Sequence, residues 1–498
     1  MKQRAFTVKG FHLDLRVQVM KMDALKALAR DISEMGLNTL VMEWEATFPF
    51  KTNPLIPSAY AYTGKEVAEF LSYCKKLRID VIPLQQCFGH VEYILQHDRY
   101  GHLRENAKDI CQLCPQKVDY AVELFTELFS EICKVHTSDY IHLGCDETYL
   151  LGSCPACSSK ASKYSKSKVF VDYVAAMCKI VRKLGKRPVI WADMLLAHPE
   201  AATELPKELI VVDWNYGWES DRFGSNKPLL KAGLEMWGSP ALRSHPDDNY
   251  LVAFEKHLKN IRDFVSYSRK SGYTGSVLTS WSTSGLYGIE WGTHWEPMAM
   301  FPIRRVFPLK GCRLLLKAFT EALQTEKPLD INAFTENYAS SRYGLSKQDA
   351  VKFRKAIFSD ASAFFSDSSA LMIGAELNKK DPAAILKEVK KAFDIMKKLT
   401  PKTNVSEFKL YLLYFTIRCH YIAFKSIEAR VIDKKFKPSA ISGVVKELRL
   451  LLKEADSIDK QFEKAFDDYL FPAEIREENR YRRRKIASLC ERLARVSA

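Results

Sequence analysis

The run "HLGCDE", His142 to Glu147, sets two carboxylates side by side behind a short apolar stretch, and "CPAC", Cys154 to Cys157, follows it closely. Asp146 and Glu147 admit three readings: a catalytic couple, part of a metal site, or two charges that close a strand. Other chemistry-bearing residues recur at similar positions along the chain. His12, Asp14 and Arg16 alternate with Phe11, Leu13 and Leu15, so a strand there puts the polar set on one face. Glu43 and Glu45 end the next apolar run, and His90 stands in "QQCFGHVEY" after a third. Asp193, Asp213 and Tyr216 close later ones, as do four tryptophans, Trp191, Trp214, Trp237 and Trp281. Flat aromatic walls enclose the apolar faces of a sugar or an acetamido methyl, while charged groups bond its hydroxyls. Any one of these indoles is as readily explained as core; four at successive strand ends are harder to explain that way.

Two Cys-x2-Cys pairs, Cys111 with Cys114 and Cys154 with Cys157, have the spacing by which thiolates grip one tetrahedral zinc. They fall after neighbouring strands. One reading is a structural zinc on all four; the other is four free thiols. Four sulfur ligands would leave no open position, so such a zinc would be structural and not catalytic; no cofactor for catalysis is expected.

Positioning such residues takes a scaffold of strand ends. Between Gly10 and about residue 300, eight β-rich runs alternate with segments whose apolar residues recur every three or four positions. The runs begin at Gly10, Asn38, Asp80, Tyr140, Pro188, Leu209, Leu234 and Ser276. Eight such units predict a (β/α)8 TIM barrel over residues 1–308, with the site at the C-terminal ends of its strands. From residue 309 to 498 strand signals fade into long amphipathic helices, such as Ser406–Arg430 and Ile441–Leu470, which predicts an α-helical C-terminal domain.

The ordered pieces "HLDLR", "EWEATFPF", "VIPLQQCFGH", "HLRE", "CDETYLLG", "VIWADML", "WNY", "VLTSW" and "YLFPAEIREENR" resemble glycoside hydrolase family 20, the β-N-acetylhexosaminidases, and within it the hexosaminidase D branch. "HLGCDE" matches that family's His-x-Gly-x-Asp-Glu motif, and the likeness covers most of the chain. The resemblance implies a retaining exo-hydrolase of terminal β-linked N-acetylhexosamine in which the substrate's own acetamido group is the nucleophile. Glu147 would be the acid and then the base. Asp146 would orient the acetamido group, and His90 would bond to the acid's network. Adjacency suits these roles, because a neighbouring carboxylate and partial burial disfavour ionisation of Glu147. Arg16 resembles the sugar-clamping arginine, Trp191, Trp214 and Trp281 the pocket walls, Tyr216 a donor to the acetamido carbonyl, and Glu296 a ligand for a sugar hydroxyl. Ala46 stands in "EATF" where the family pattern has an acid, so Glu45 or Glu43 inherits that polar role.

The partner implied is an oligosaccharide or glycoconjugate ending in β-N-acetylhexosamine. A silent sugar-binding barrel is the alternative, but it would need no acid pair. A metallohydrolase would want HExxH or a His-x-His cluster, and neither occurs. The net charge of +15 is spread along the chain, and its one compact basic run, Arg480 to Lys485, reads as a solvated helix face, so nucleic acid is not expected. No run is long and apolar enough for a signal core or a membrane span. Together with twelve cysteines too sparse for a disulfide scaffold, this makes a reducing, cytoplasmic setting the expectation unless an export signal preceded the chain.

Overall fold

Strand β1 (Val8–Asp14) is parallel to β2 (Thr39–Glu43), which continues through β3 (Asp80–Leu84), β4 (Tyr140–His142), β5 (Arg187–Trp191), β6 (Ile210–Trp214) and β7 (Glu235–Ser239). A short strand β8 (Ala241–Arg243) intervenes before β9 (Gly275–Ser280), and β9 pairs with both β7 and β1 to close the ring. The protein is therefore a closed eight-stranded parallel barrel in this computed structural model, which describes residues 5–244, 247, 252–290, 299–304, 308–359 and 381–497. All eight strand runs expected from the sequence are present. The extra strand β8 pairs only with β9 and lies outside the ring order.

Two-residue alternation sorts each strand's side chains between two cores. Phe11 and Leu13 of β1 face the helices, as do Leu40 and Met42 of β2. Val8, Val41, Ile82, Val189, Ile210, Val212 and Val277 fill the barrel interior. The surrounding helices bury matching stripes: helix Met22–Glu34 covers Ala24, Leu25, Ala29 and Ile32, and each fully buried large aliphatic contributes about 1.5–3 kcal/mol. Helix Gly64–Lys76 begins with a capping box, in which the Thr63 side chain takes the Glu66 N–H and Glu66 takes the Thr63 N–H.

Beyond an antiparallel strand pair, Thr283–Glu290 with Ala299–Arg304, the described elements are helical, ending in Val405–Ile432, Ile441–Phe466 and Pro472–Ser497. The larger apolar core runs unbroken from the barrel's outer face into these helices, reaching Phe408, Phe466 and Ile475. The last helix also reaches the barrel mouth. Buried Glu474 accepts the Gln18 backbone N–H (3.1 Å) and buried Glu478 accepts its side-chain amide (3.2 Å), so the tail braces the loop that carries Arg16. The basic run is only partly a solvated face. Arg482 and Arg483 turn into helix Ile441–Phe466 and pair with Asp459, and Arg483 also pairs with Asp456.

Candidate active site

The loop after β4 is bent to lift its two acids. Gly144, Cys145 and Glu147 all have positive φ (70°, 68° and 49°), a conformation that non-glycine residues keep only when their surroundings enforce it. The enforcement is visible. A Cβ on Gly144 would meet the Gln86 side-chain oxygen at 1.6 Å, and one on Gly89 would meet the Asp146 carbonyl oxygen at 2.2 Å, so both glycines are needed for close approach. The Gly144 N–H donates to His142 Nδ1 (3.0 Å), and the Glu147 N–H donates to Asp193 Oδ2 (2.9 Å). Burial pushes the His142 imidazole down to about 3, so it stays neutral and can accept that bond.

His90 joins the acid pair. Its Nε2 lies 3.1 Å from Glu147 Oε2 and 3.4 Å from Asp146 Oδ2, on a residue that also has positive φ. Burial opposes its charge, but the two carboxylates outweigh burial and hold the imidazolium well above its ordinary range. Asp146 is buried, which favours its neutral form, yet His90 and the amide of Gln86 (3.1 Å) hold its carboxyl below the usual value. Glu147 is more open, with the Tyr149 hydroxyl donating to its Oε1 at 2.9 Å.

Asp193, noted in the sequence only as a strand-end acid, is the third carboxyl of the group. Burial first, and then the nearby charge of Asp146, push it up to about 8, while its two oxygens accept from the Glu147 N–H and from Trp214 Nε1 (3.3 Å).

On the opposite wall Arg16 makes a fork to Asp14, with Nε and Nη2 each 3.1 Å from an oxygen, beneath the Trp281 ring. Burial of Asp14 would raise its carboxyl, but Arg16 holds it far below the carboxylate range. Glu43 bonds His12 Nε2 at 2.9 Å in the barrel interior. Glu45 and Glu92 are both buried beside this arginine's field, and each has a side-chain oxygen without a hydrogen-bond partner among the described residues. Burial raises both, Glu92 to about 7.

Three of the four tryptophans gather here. Trp191 forms the floor against His142, with ring centroids 4.4 Å apart and 5.8 Å from Trp281. Trp214 packs against Tyr216, whose hydroxyl accepts from Trp281 Nε1 at 2.7 Å. Trp237 does not belong with them. It precedes the end of β7 by two residues and packs on Tyr140, the first residue of β4, so it plugs the far end of the barrel. Glu296 lies outside the described residues.

The cysteines also part from expectation. Glu105, Cys114, Cys154 and Cys157 converge, with one ligand atom from each within 4.8 Å of the others. Cys111 is not in that group, because the turn at Asp109, which takes the Cys111 N–H at 2.7 Å, leads it elsewhere.

Residues 25–241, which carry β2 through β7 and the acid pair, match the model of "Glycosyl hydrolase family 20, catalytic domain". The likeness to glycosyl hydrolase family 20 rests on this segment. The chain is 30% identical over 305 residues to Hexosaminidase D of Homo sapiens, covering 57% of this chain and 62% of that protein. It is 29% identical over 289 residues to Hexosaminidase D of Bos taurus, covering 54% of this chain and 83% of the relative. The match thus spans less than two thirds of the human protein. Flavobacterium johnsoniae chitobiase shares the fold, with a TM-score of 0.53 at 17% identity over 97% of this chain and 78% of that one. The segment matched by the family model ends before β9, so Trp281 and the helical tail lie outside it.

Sequence reasoning passed over Gln86, Glu92, Glu105 and Tyr149. Each lies inside a quoted motif, "QQCFGH", "GHVEY", "HLRE" or "CDETY", but strand-end logic assigns no direction to a loop side chain.

Proposed function

We propose that the protein is a retaining exo-β-N-acetylhexosaminidase that removes terminal β-linked GlcNAc or GalNAc through an oxazolinium intermediate. The observation that carries the reading is the hydrogen-bonded triad of His90, Asp146 and Glu147 at the mouth of a family 20 barrel. Glu147, the more open carboxyl, gives its proton to the leaving glycosidic oxygen as the bond to the anomeric carbon breaks. The substrate's acetamido carbonyl oxygen forms the new bond to that carbon. Asp146, held charged by His90 and Gln86, accepts the acetamido N–H and balances the positive charge that develops on the ring. Glu147, now a carboxylate, takes a proton from water as the water oxygen attacks the same carbon and the bond from that carbon to the acetamido oxygen breaks, regenerating the acetamide, and two inversions leave the configuration retained.

Trp191, Trp214 and Trp281 enclose the acetamido methyl and the sugar face in this reading. Tyr216, oriented by Trp281, donates to the acetamido carbonyl. Arg16 clamps the non-reducing hydroxyls, and Glu45, with one oxygen unpartnered beside that arginine, takes a further hydroxyl. A mouth closed on the Arg16 side favours terminal sugars. Among the described residues no helix is long and apolar enough to cross a membrane.

The test is hydrolysis of aryl β-N-acetylglucosaminide and β-N-acetylgalactosaminide with and without a thiazoline mimic of the cyclic intermediate. Turnover blocked by the mimic is the expected result, and turnover indifferent to it would overturn acetamido participation.

A further inference from the structure

We propose that Glu105, Cys114, Cys154 and Cys157 form a tetrahedral site for one zinc ion, which pins together the two loops that carry His90 and the acid pair. Cys114 Sγ lies 3.6 Å from both Cys154 Sγ and Cys157 Sγ, and Cys157 Sγ lies 3.1 Å from Glu105 Oε2. Four ligands around zinc at about 2.3 Å for sulfur and about 2.0 Å for oxygen stand about 3.5–3.8 Å from one another; the two sulfur–sulfur separations at Cys114 fall in that range, and all four ligand atoms lie within 4.8 Å of one another. The sulfurs are too far apart for disulfides, whose bond length is about 2.05 Å.

Glu105 is almost wholly buried and is aimed at the thiols, with its second oxygen taking the Cys154 N–H at 2.9 Å. The ligand set therefore fixes one of its own members from the next. The Cys157 N–H points at Cys154 Sγ (3.3 Å), a bond that suits a thiolate better than a thiol. Cys154 also caps helix Pro155–Lys163, whose N-terminal end favours negative charge. Three sulfurs select a soft or borderline cation over magnesium or calcium. Four protein ligands leave no position for substrate, so the ion is structural.

The cluster lies where the loops are already stitched together. Cys114 N–H reaches the Leu103 carbonyl (2.8 Å) and Glu105 N–H the Gln112 carbonyl (3.0 Å), while the Gln112 side chain accepts the Leu150 N–H (2.8 Å). Gln112 also bridges to Gly89, next to His90, and Tyr149, next to Leu150, donates to the Glu147 carbonyl (2.8 Å). An ion at the cysteines thus fixes both loops behind the site without touching it.

The experiment is elemental analysis of the full chain purified under reducing conditions without added metal, followed by chelator stripping and titration with Zn2+ alone and with Co2+ alone. About one zinc per chain is expected, and Co2+ should give the ligand-field and thiolate charge-transfer bands of a tetrahedral sulfur site. Cys154→Ser and Glu105→Gln should each weaken zinc binding tenfold or more, while Cys111→Ser leaves stoichiometry and affinity unchanged. Wild-type protein that takes up no zinc, or a Co2+ spectrum without thiolate bands, overturns the proposal whatever the variants do. Loss of zinc in Cys111→Ser overturns the ligand assignment.

Discussion

Asp193 Oδ2 takes the Glu147 backbone N–H at 2.9 Å, so the loop after β5 holds the backbone of the loop after β4 at a residue with φ of 49°. The bond explains how a left-handed glutamate is kept in place. It also ties the site's stability to a carboxyl whose burial pushes it up to about 8. An acid that is harder to ionise folded than unfolded contributes fully below its unfolded value, near 4, and loses that contribution as pH rises toward 8. Wild-type stability should therefore fall across pH 4–8 by an amount on the order of a few kcal/mol from this group, at about 1.4 kcal/mol per pH unit. Asp193→Asn keeps an oxygen for the Glu147 N–H but gives Trp214 Nε1 no second acceptor, which costs about 1–2 kcal/mol. Its denaturation curves should show a shallower pH slope over that window; an unchanged slope would show that Asp193 is not the titrating group.

Glu147→Gln removes the transferable proton but keeps the size and the contact from Tyr149. With a sugar leaving group, kcat/KM should fall about 10²–10⁴-fold, the usual worth of a positioned acid. With a nitrophenyl leaving group, which departs without a proton, the first step should suffer much less. Equal losses on both substrates would assign Glu147 a role other than proton donor.

The barrel was legible because each of its strands carries a dense apolar run, and the acid pair because it ends one of them. Less was legible in the loops. Trp237 looked like a mouth residue from its place late in an apolar run, but β7 extends two residues past it to Ser239, which puts the indole at the opposite end. Cys111 matched its partner by spacing, and the turn at Asp109 overrode the spacing. Asp193 was visible as an acid after β5; that it bonds across to Glu147 depends on how two loops 46 residues apart meet. Periodicity reports which face a residue takes within its own element. It carries nothing about which loop lies opposite.

His90 gives a second pH signature, of the same sign but starting from a higher unfolded value. Burial disfavours its charge, but Asp146 and Glu147 raise its pKa well above 6.5, so the folded state holds a proton that the unfolded chain releases. Its contribution is complete below about pH 6.5 and is lost as pH rises through the raised value. His90→Asn, compared with wild type by thermal melting, should be more destabilised at pH 6 than at pH 10. A difference that does not change with pH would mean that the imidazole is neutral in the fold and acts only through packing.

Gly89→Ala probes the loop contact itself. The added methyl would sit 2.2 Å from the Asp146 carbonyl oxygen, a backbone atom that cannot swing aside as a side chain would. Relief requires the His90 loop to back away from the acid loop, and such overpacking costs about 1–3 kcal/mol. The His90 Nε2 distances of 3.1 Å to Glu147 and 3.4 Å to Asp146 then lengthen, which weakens the hold on both carboxylates together. Activity should drop more steeply than stability, about tenfold or more in kcat, because a displacement near 1 Å at the chemistry costs about 10²-fold in rate. Gly36→Ala supplies the control: Gly36 has positive φ (85°), unlike Gly89, but open space around it, so the substitution should lower the melting temperature through backbone strain and leave kcat unchanged. If Gly89→Ala affects only stability, in the manner of Gly36→Ala, the contact between the two loops does not position the acids.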